Sequence, residues 1–294
     1  MAAKPNITGV ADITVKAREV DFVSRFTSNW DALREIMGIM RPIRKQPGTT
    51  LTSYSATVAL QDGDVGEGEE IPYSKATLTP AAYNDVTIKK YAKAVSIEAV
   101  NKHGAAIAVQ KTDQAFLNEL QSEVMDEFYN FLQTGTLTDT QATFQSAVAM
   151  AIGRVTDKFK KMHLSSSEIV VFVNTLDVYK YLGSAEITVQ TASGVSYMKN
   201  FMGASTLIMS SEIPEGKVIA TPAENIDMYY VDPSDSDFAQ LGLNYTVDGE
   251  TNLIGFHANG NYSTAVGESF AIMGVTLWAE YLDGVAVVTI SAGG

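Results

Sequence analysis

"DGDVGEGEEIPYSKATLTPAAYNDVTIKKYAKAVSIEAV", residues 62–100, is the stretch on which the fold turns. Its first eleven residues hold five carboxylates (Asp62, Asp64, Glu67, Glu69, Glu70) and three glycines. The remainder is strand-like: Val86, Ile88, Tyr91, Val95 and Ile97 mark an apolar face, and Lys89, Lys90 and Lys93 take solvated positions. Upstream, "TLTSYSATVAL" at 50–60 is also β-rich. The sequence predicts an outsized hairpin over 49–92 with the acidic stretch at its tip. A helix-loop-helix calcium loop wants Gly at its sixth position and Glu at its twelfth. Counted from Asp62 those positions hold Glu67 and Tyr73. A phosphate cradle needs glycines that open a helix, and here surrounding carboxylates would repel the anion. The stretch reads as a solvated or partner-facing loop tip.

Nearer the N-terminus, residues 1–48 show no sustained period apart from a short helix expected from Trp30 to Met40, and they end in "RPIRKQPG". With few apolar anchors of its own, this segment is expected to be an arm ordered only by neighbours. Downstream, Phe116, Leu117, Leu120, Val124, Phe128, Phe131 and Leu132 recur at three- and four-residue steps, and Gly135 closes the pattern. A helix from Ala105 to Thr134 would span roughly 45 Å. A second helix carries Phe144, Val148, Ile152, Val155 and Phe159 on one stripe, with Lys158, Lys160 and Lys161 at its C-terminal end, where cations suit the dipole.

The next unit reads as βα: "EIVVFV" at 168–173, Asn174 and Thr175 as caps, and a helix stopping at Gly183. Strands are expected near "STLIMS", "KVIATP" and "NIDMYYVD". The terminal "FAIMGVTLWAEYLDGVAVVTI" is expected to form two strands joined through Asp283 and Gly284. The class is α+β.

Composition narrows the function. The 294 residues suffice for one large or two modest domains. A net charge of −13 argues against nucleic-acid recognition, which draws its affinity from Lys and Arg on phosphates. The only concentrated positive charge is Arg41, Arg44 and Lys45, with a smaller group at Lys158, Lys160 and Lys161. The absence of cysteine removes disulfides, thiol chemistry and Cys-ligated zinc. Nothing resembles a signal peptide or a membrane span, so a soluble protein of a reducing cytoplasm is expected. His103, His163 and His257 are scattered, without a metal-type partner four residues on, and "GASTL" lacks the final glycine of a nucleophile elbow. No catalytic, cofactor or metal residue can be named.

A hairpin reaching out alone is marginal in water, so its support must come from a neighbour. The order of parts resembles the tailed-bacteriophage major capsid protein family. The likeness rests on the proline-broken arm, the hairpin with its return "VGEGEEIPYSKATLTPAAYNDVTIKKYAKAVSIEAV", a spine helix ending "FYNFLQTGT", a central "VVFVNTLDVYKYL" and the terminal "YLDGVAVVTI". It covers about Trp30 to Ile290.

The resemblance implies an N-terminal arm (1–48), an extended loop (49–92), a peripheral domain with the spine helix (93–135), an axial domain (136–267) and C-terminal strands returning to the peripheral domain (268–294). It further implies a non-enzymatic subunit without cofactors that assembles through pentamers and hexamers into an icosahedral shell around double-stranded DNA. Such a virion protein would be made in a bacterial host's cytoplasm and would work with a separate scaffolding protein and a portal protein. The loop would lie over an adjacent copy. Asp62, Asp64, Glu67, Glu69, Glu70 and Lys75 would then be contact residues, and Arg41, Arg44 and Lys45 the basic partners of the carboxylates. No membrane partner and no specific DNA contact are implied, and an acidic wall would let DNA slide. Some relatives join this loop to a neighbour through a lysine, but no acceptor for Lys75 can be assigned. Two other readings stand beside this one. An encapsulin-type nanocompartment shell shares the fold, although residues 1–20 do not look like its inward amphipathic helix. A cytosolic α+β hydrolase would need convergent polar groups that the sequence does not show.

Overall fold

Apolar residues at positions 22, 23, 26, 30, 33, 36 and 37 recur every three or four residues, which puts them on one face of a helix. In the computed structural model, which describes residues 17–39, 42–166, 168–183, 189–192 and 195–291, they form the buried face of α1 (Ala17–Met37). This corrects the short helix expected from Trp30 to Met40 and the arm expected to lack apolar anchors. Phe22, Phe26 and Trp30 are among the largest fully buried side chains, and each such burial contributes about 2–3 kcal/mol. Phe22 stacks on Phe256 with ring centroids 4.0 Å apart.

Strand β1 (Ile43–Arg44) comes next, and then β2 (Thr50–Ala59) and β3 (Lys75–Asp85), which pair antiparallel as the expected hairpin. The returning leg is shorter than the sequence suggested. It ends at Asp85, and β4 (Lys89–Ser96) is a separate strand in another sheet. Ile97, expected on a strand, opens α2 (Ile97–His103), whose N-cap is Ser96, with Oγ accepting from the Ala99 N–H at 3.2 Å. Gly104, at φ +82°, ends that helix in a conformation other residues rarely adopt.

The spine helix exists with a modified start: residues 106–111 wind as a π-helix and α3 runs Thr112–Leu132. Beyond it lie β5 (Leu137–Gln141), α4 (Phe144–Lys161), β6 (Ile169–Asn174) and α5 (Thr175–Leu182). Asn174 caps α5 as its residue type suggested, its Oδ1 accepting from the Leu176 N–H at 2.7 Å.

Five further strands complete the middle of the chain: β7 (Gln190–Ala192), β8 (Val195–Phe201), β9 (Ala204–Ser210), β10 (Lys217–Pro222) and β11 (Ile226–Tyr230). After a short α6 (Ser236–Gln240) come β12 (Ile254–Asn261), β13 (Val266–Met273), β14 (Val275–Ala279) and β15 (Ala286–Ile290). The terminal apolar run is therefore parts of three strands, not two. It breaks at Gly274, where a Cβ would lie 2.9 Å from Val231 and 3.2 Å from the Thr87 carbonyl oxygen.

A seven-stranded sheet, ordered β5-β15-β10-β6-β9-β8-β7, forms the centre. Both its faces are covered, which explains the unbroken apolar run of β6. Val170 and Phe172 face a core shared with α1 and α3, whereas Ile169, Val171 and Val173 face a second core shared with α4 and α5. Phe128 of α3 meets Phe172 edge-on at 5.5 Å. Two three-stranded sheets flank this centre, β1-β11-β14 and β12-β13-β4.

Two domain expectations change with this topology. The last strand does not leave the central sheet: β15 lies between β5 and β10, because Ala286 and Val288 complete one core and Val287 the other. The expected boundary at 267/268 falls inside β13, which pairs with both β12 and β4.

Candidate assembly surface

Among the described residues, the β2–β3 hairpin is fixed only at its base. There Leu51 and Val86 are buried against Val231 and Trp278, and the Gly48 N–H donates to the Val86 carbonyl at 2.9 Å. Beyond that base every described side chain from Thr52 to Pro80 is exposed, save the half-buried Val65. Cross-strand partners share a face of a two-stranded ribbon, and the register pairs Tyr54 with Pro80, Ala56 with Leu78 and Val58 with Ala76. That face is apolar, with Tyr54 61% and Leu78 66% exposed. The opposite face carries Thr57 against Thr77 and Ala59 against Lys75. Leu60, Ile71 and Tyr73 extend the exposed apolar surface toward the tip. The sequence reading named the carboxylates and missed this face. Its signal was the alternation Tyr54, Ala56, Val58, Leu60, legible once the register is known.

At the tip the chain turns through Glu67 and Gly68, with Gly68 at φ +87° and the Glu69 N–H donating to the Gly66 carbonyl at 3.1 Å. Two of the named carboxylates serve the loop itself. Asp62 Oδ1 accepts from the Asp64 N–H at 3.0 Å, and Glu69 Oε2 accepts from the Gly66 N–H at 2.9 Å. Asp64, Glu67 and Glu70 are exposed, as is Lys75, the first residue of β3.

Of the expected basic partners, Arg44 and Lys45 also make contacts within their own chain. Arg44 is engaged within its own chain, its guanidinium 3.2 Å from Asp232 and 2.7 Å from Asp235. Those carboxylates raise the Arg44 pKa further, the hydrogen bond to Asp235 most of all. Lys45 sits with Nζ 5.3 Å from the Tyr229 ring, and its N–H donates to the Tyr230 carbonyl at 2.8 Å, so β1 and its flank are held to β11. Arg41 lies outside the described residues. Among the described residues no ion pair within one subunit joins the tip carboxylates to Arg44 or Lys45, and the expected contact is one between copies.

A second polar constellation was not legible. Asp113, in the first turn of α3, is almost wholly buried and binds Arg18 of α1 and Lys93 of β4. Arg18 also donates to Ser269 Oγ at 2.7 Å. Burial would raise the Asp113 pKa, yet the hydrogen bonds and charges of Arg18 and Lys93 bring it below the usual carboxylate range. Glu19, also buried, accepts from the Ala258 N–H and from Thr246 Oγ1, both at 2.8 Å. These bonds tie α1 to α3 and to the β12-β13-β4 sheet. No group of three or more His, Asp or Glu side chains positioned to hold a metal ion occurs among the described residues. No described helix is long and apolar enough to cross a membrane.

No protein-family model and no curated protein matches the chain. Solved structures do. A capsid subunit of cyanophage A-1(L) aligns with a TM-score of 0.58 at 10% identity, over 89% of this chain and 93% of the other. A Mycobacterium phage Che8 chain aligns at 0.52 and 11% identity, over 81% and 84%. The virus-like particle of Pyrococcus furiosus aligns at 0.50 and 11% identity, over 93% and 100%. The chain therefore has the capsid fold, an α+β architecture common to phage shells and to the Pyrococcus particle.

Proposed function

We propose that this protein is a major capsid subunit, a structural protein rather than an enzyme, that self-assembles through pentamers and hexamers into an icosahedral virion shell around packaged double-stranded DNA. The observation that carries this reading is a two-faced hairpin on a capsid fold, which leaves Tyr54, Val58 and Leu78 exposed in the isolated chain. An isolated two-stranded ribbon is marginal in water, and an apolar face in that position is buried by a second copy. The loop of residues 49–92 then lies over an adjacent subunit. α3 forms the spine of a peripheral domain, and the region around α4 and α5 forms the axial domain that meets its copies at the five- and six-fold axes. Many repeats of one modest contact give a strong shell by avidity.

Assembly in the bacterial host cytoplasm with a separate scaffolding protein and a portal protein completes the proposal. The net charge of −13 supports a wall that holds DNA without binding it. The test is negative-stain microscopy of the protein expressed with and without a scaffold, followed by nuclease protection. Closed shells or five- and six-membered rings are expected, with nuclease-resistant DNA in particles filled in the host. A uniform monomer or dimer under all conditions would overturn the shell reading. Shells that hold protein and no DNA would assign the chain to a nanocompartment.

A further inference from the structure

Away from the hairpin, the register of the β12-β13-β4 sheet lines up three successive rows of residues on the face that α1 covers. Phe256, Ala271 and Tyr91 form the first row, Ala258, Ser269 and Lys93 the second, and Gly260, Gly267 and Val95 the third. Phe22 of α1 stacks on the first row at Phe256. Four residues earlier, Arg18 stands on the second, its Nη2 donating to Ser269 Oγ, and Glu19 accepts from the Ala258 N–H. One turn of helix advances about 5.4 Å and two strand residues advance about 7 Å, so helix and rows keep step. The third row therefore lies under the residues that precede Ala17. Those residues, 1–16, lie outside the described residues.

That third row is open. Among the described residues, and apart from chain neighbours, a Cβ on Gly260 would meet no atom within 4 Å, and one on Gly267 only the Val95 carbonyl oxygen at 3.9 Å. A glycine inside a strand often marks a place where another backbone comes close, and here two are paired across strands. The row floors a groove of about 440 Å³ whose walls are Ile97 and Val100 of α2, Val109 of the π-helix and Val266. All four keep accessible surface, Ile97 as much as 47%. Arg18 lines the groove as well, so the chain upstream of α1 starts at its edge.

The sequence of that upstream segment suits the groove. Ala11, Ile13 and Val15 alternate with Asp12, Thr14 and Lys16, the period of an extended chain with one apolar face. Four extended residues span roughly 13 Å, which brings Ile13 from Ala17 to the third row and the groove beyond it. We propose that residues 10–16 dock here within their own subunit, extended, with their backbone over Gly260 and Gly267 and with Ile13 and Val15 set against Val100, Val109 and Val266. A tether this short holds the segment at an effective concentration of about millimolar, which favours it over the same segment of another copy.

The experiment is disulfide trapping in free subunits of the full-length protein, which has no native cysteine. Ile13→Cys is paired with Ile97→Cys in the groove and, as the control, with Glu98→Cys, its exposed neighbour on α2. Oxidation should close the first pair within one chain at least about tenfold faster than the second, because docking adds to what the tether alone supplies. Val15→Asp should slow that closure about tenfold, the worth of one buried valine side chain, with an unchanged circular dichroism spectrum. Gly267→Leu, which blocks the row, should slow it as well. Equal closure of the two pairs, or closure untouched by both Val15→Asp and Gly267→Leu, overturns the site. Disulfide-linked dimers in place of the closed monomer overturn the assignment to the same subunit and give the groove to the segment of another copy. Free subunits suffice for this test, so a negative result leaves the shell reading standing.

Discussion

Arg18 forks onto Asp113. Its Nη2 donates to Oδ1 at 2.7 Å and its Nε donates to Oδ2, across 95 residues of sequence. Lys93 Nζ approaches the same Oδ1 at 2.7 Å, so two cations depend on one buried carboxylate. Asp113→Ala should therefore destabilise the free subunit by about 3 kcal/mol, because it leaves charge buried without a counter-ion. The measurement is urea unfolding. The pH dependence has a definite sign. The native Asp113 pKa is depressed, so its contribution is present above the unfolded value of about 4 and is lost as pH falls through the lower folded value. Asp113→Asn should flatten that acid limb, and an unaltered limb would show that the pair carries little of the stability.

Asp126 has the opposite sign. Its native pKa is raised, so the ionised form is penalised in the folded state. Asp126→Asn should stabilise the free subunit slightly at neutral pH, by less than about 1 kcal/mol for a partly exposed group. The gain should vanish below about pH 4, where the unfolded chain is protonated as well. Thermal unfolding at pH 7 and pH 3 compares the two.

Because α1 is part of the main core, Phe26→Ala should cost about 3–5 kcal/mol, the usual result of emptying a large aromatic site. Limited proteolysis of free subunits gives an independent readout. Cuts between residues 17 and 37 should be slow before assembly as well as after it. Rapid cutting there in free subunits would return this segment to the role of an arm ordered by neighbours.

Replacing residues 62–70 with an Asn-Gly turn should leave the circular dichroism spectrum native, since the tip packs on neither core. Tyr54→Ser with Leu78→Ser should likewise stay within about 0.5 kcal/mol of wild-type stability, as surface changes do. Sedimentation should show fragile shells or none for both variants. Changing Glu67, Glu69 and Glu70 to Gln should do less and should shift mainly the salt dependence of assembly, because exposed charges are screened over about 10 Å at 0.1 M salt. Normal shells from the serine variant would remove the apolar face from the interface.

The features legible in the sequence are those set by local interactions. The 3.6-residue spacing of α3 and α4, the apolar run of β6 and the Asn174 cap depend on neighbours in the chain, and all were legible. Within α1, Phe22, Phe26, Trp30, Leu33 and Met37 keep helical spacing too. That signal was hidden by Arg18, Glu19 and Asp21 just ahead of them and Arg25 among them; Arg18, Glu19 and Arg25 serve tertiary bonds. Long-range choices left no periodic trace. Arg44 finds Asp235 across 191 residues, a pairing within the chain that residue spacing alone could not show. The insertion of β15 between β10 and β5 is likewise a matter of pairing, and apolar content alone cannot place it. The two-faced character of the hairpin was written in the residue types, but it required the register of β2 against β3 to be read.

The hairpin also carries a hazard for a newly made chain. Because β2 and β3 form a sheet of only two strands, both outer edges present unpaired backbone donors and acceptors, beside an apolar face. Such ribbons invite edge-to-edge pairing and fibrous aggregation when they wait for a partner. The cluster of Asp62, Asp64, Glu67, Glu69 and Glu70 at the tip then acts as a gatekeeper: stacked like copies would bring five negative charges against five more. The acidic tip would thus limit mis-pairing during the interval between the ribosome and the lattice, a role it would hold even if none of its carboxylates touched a neighbour in the finished shell.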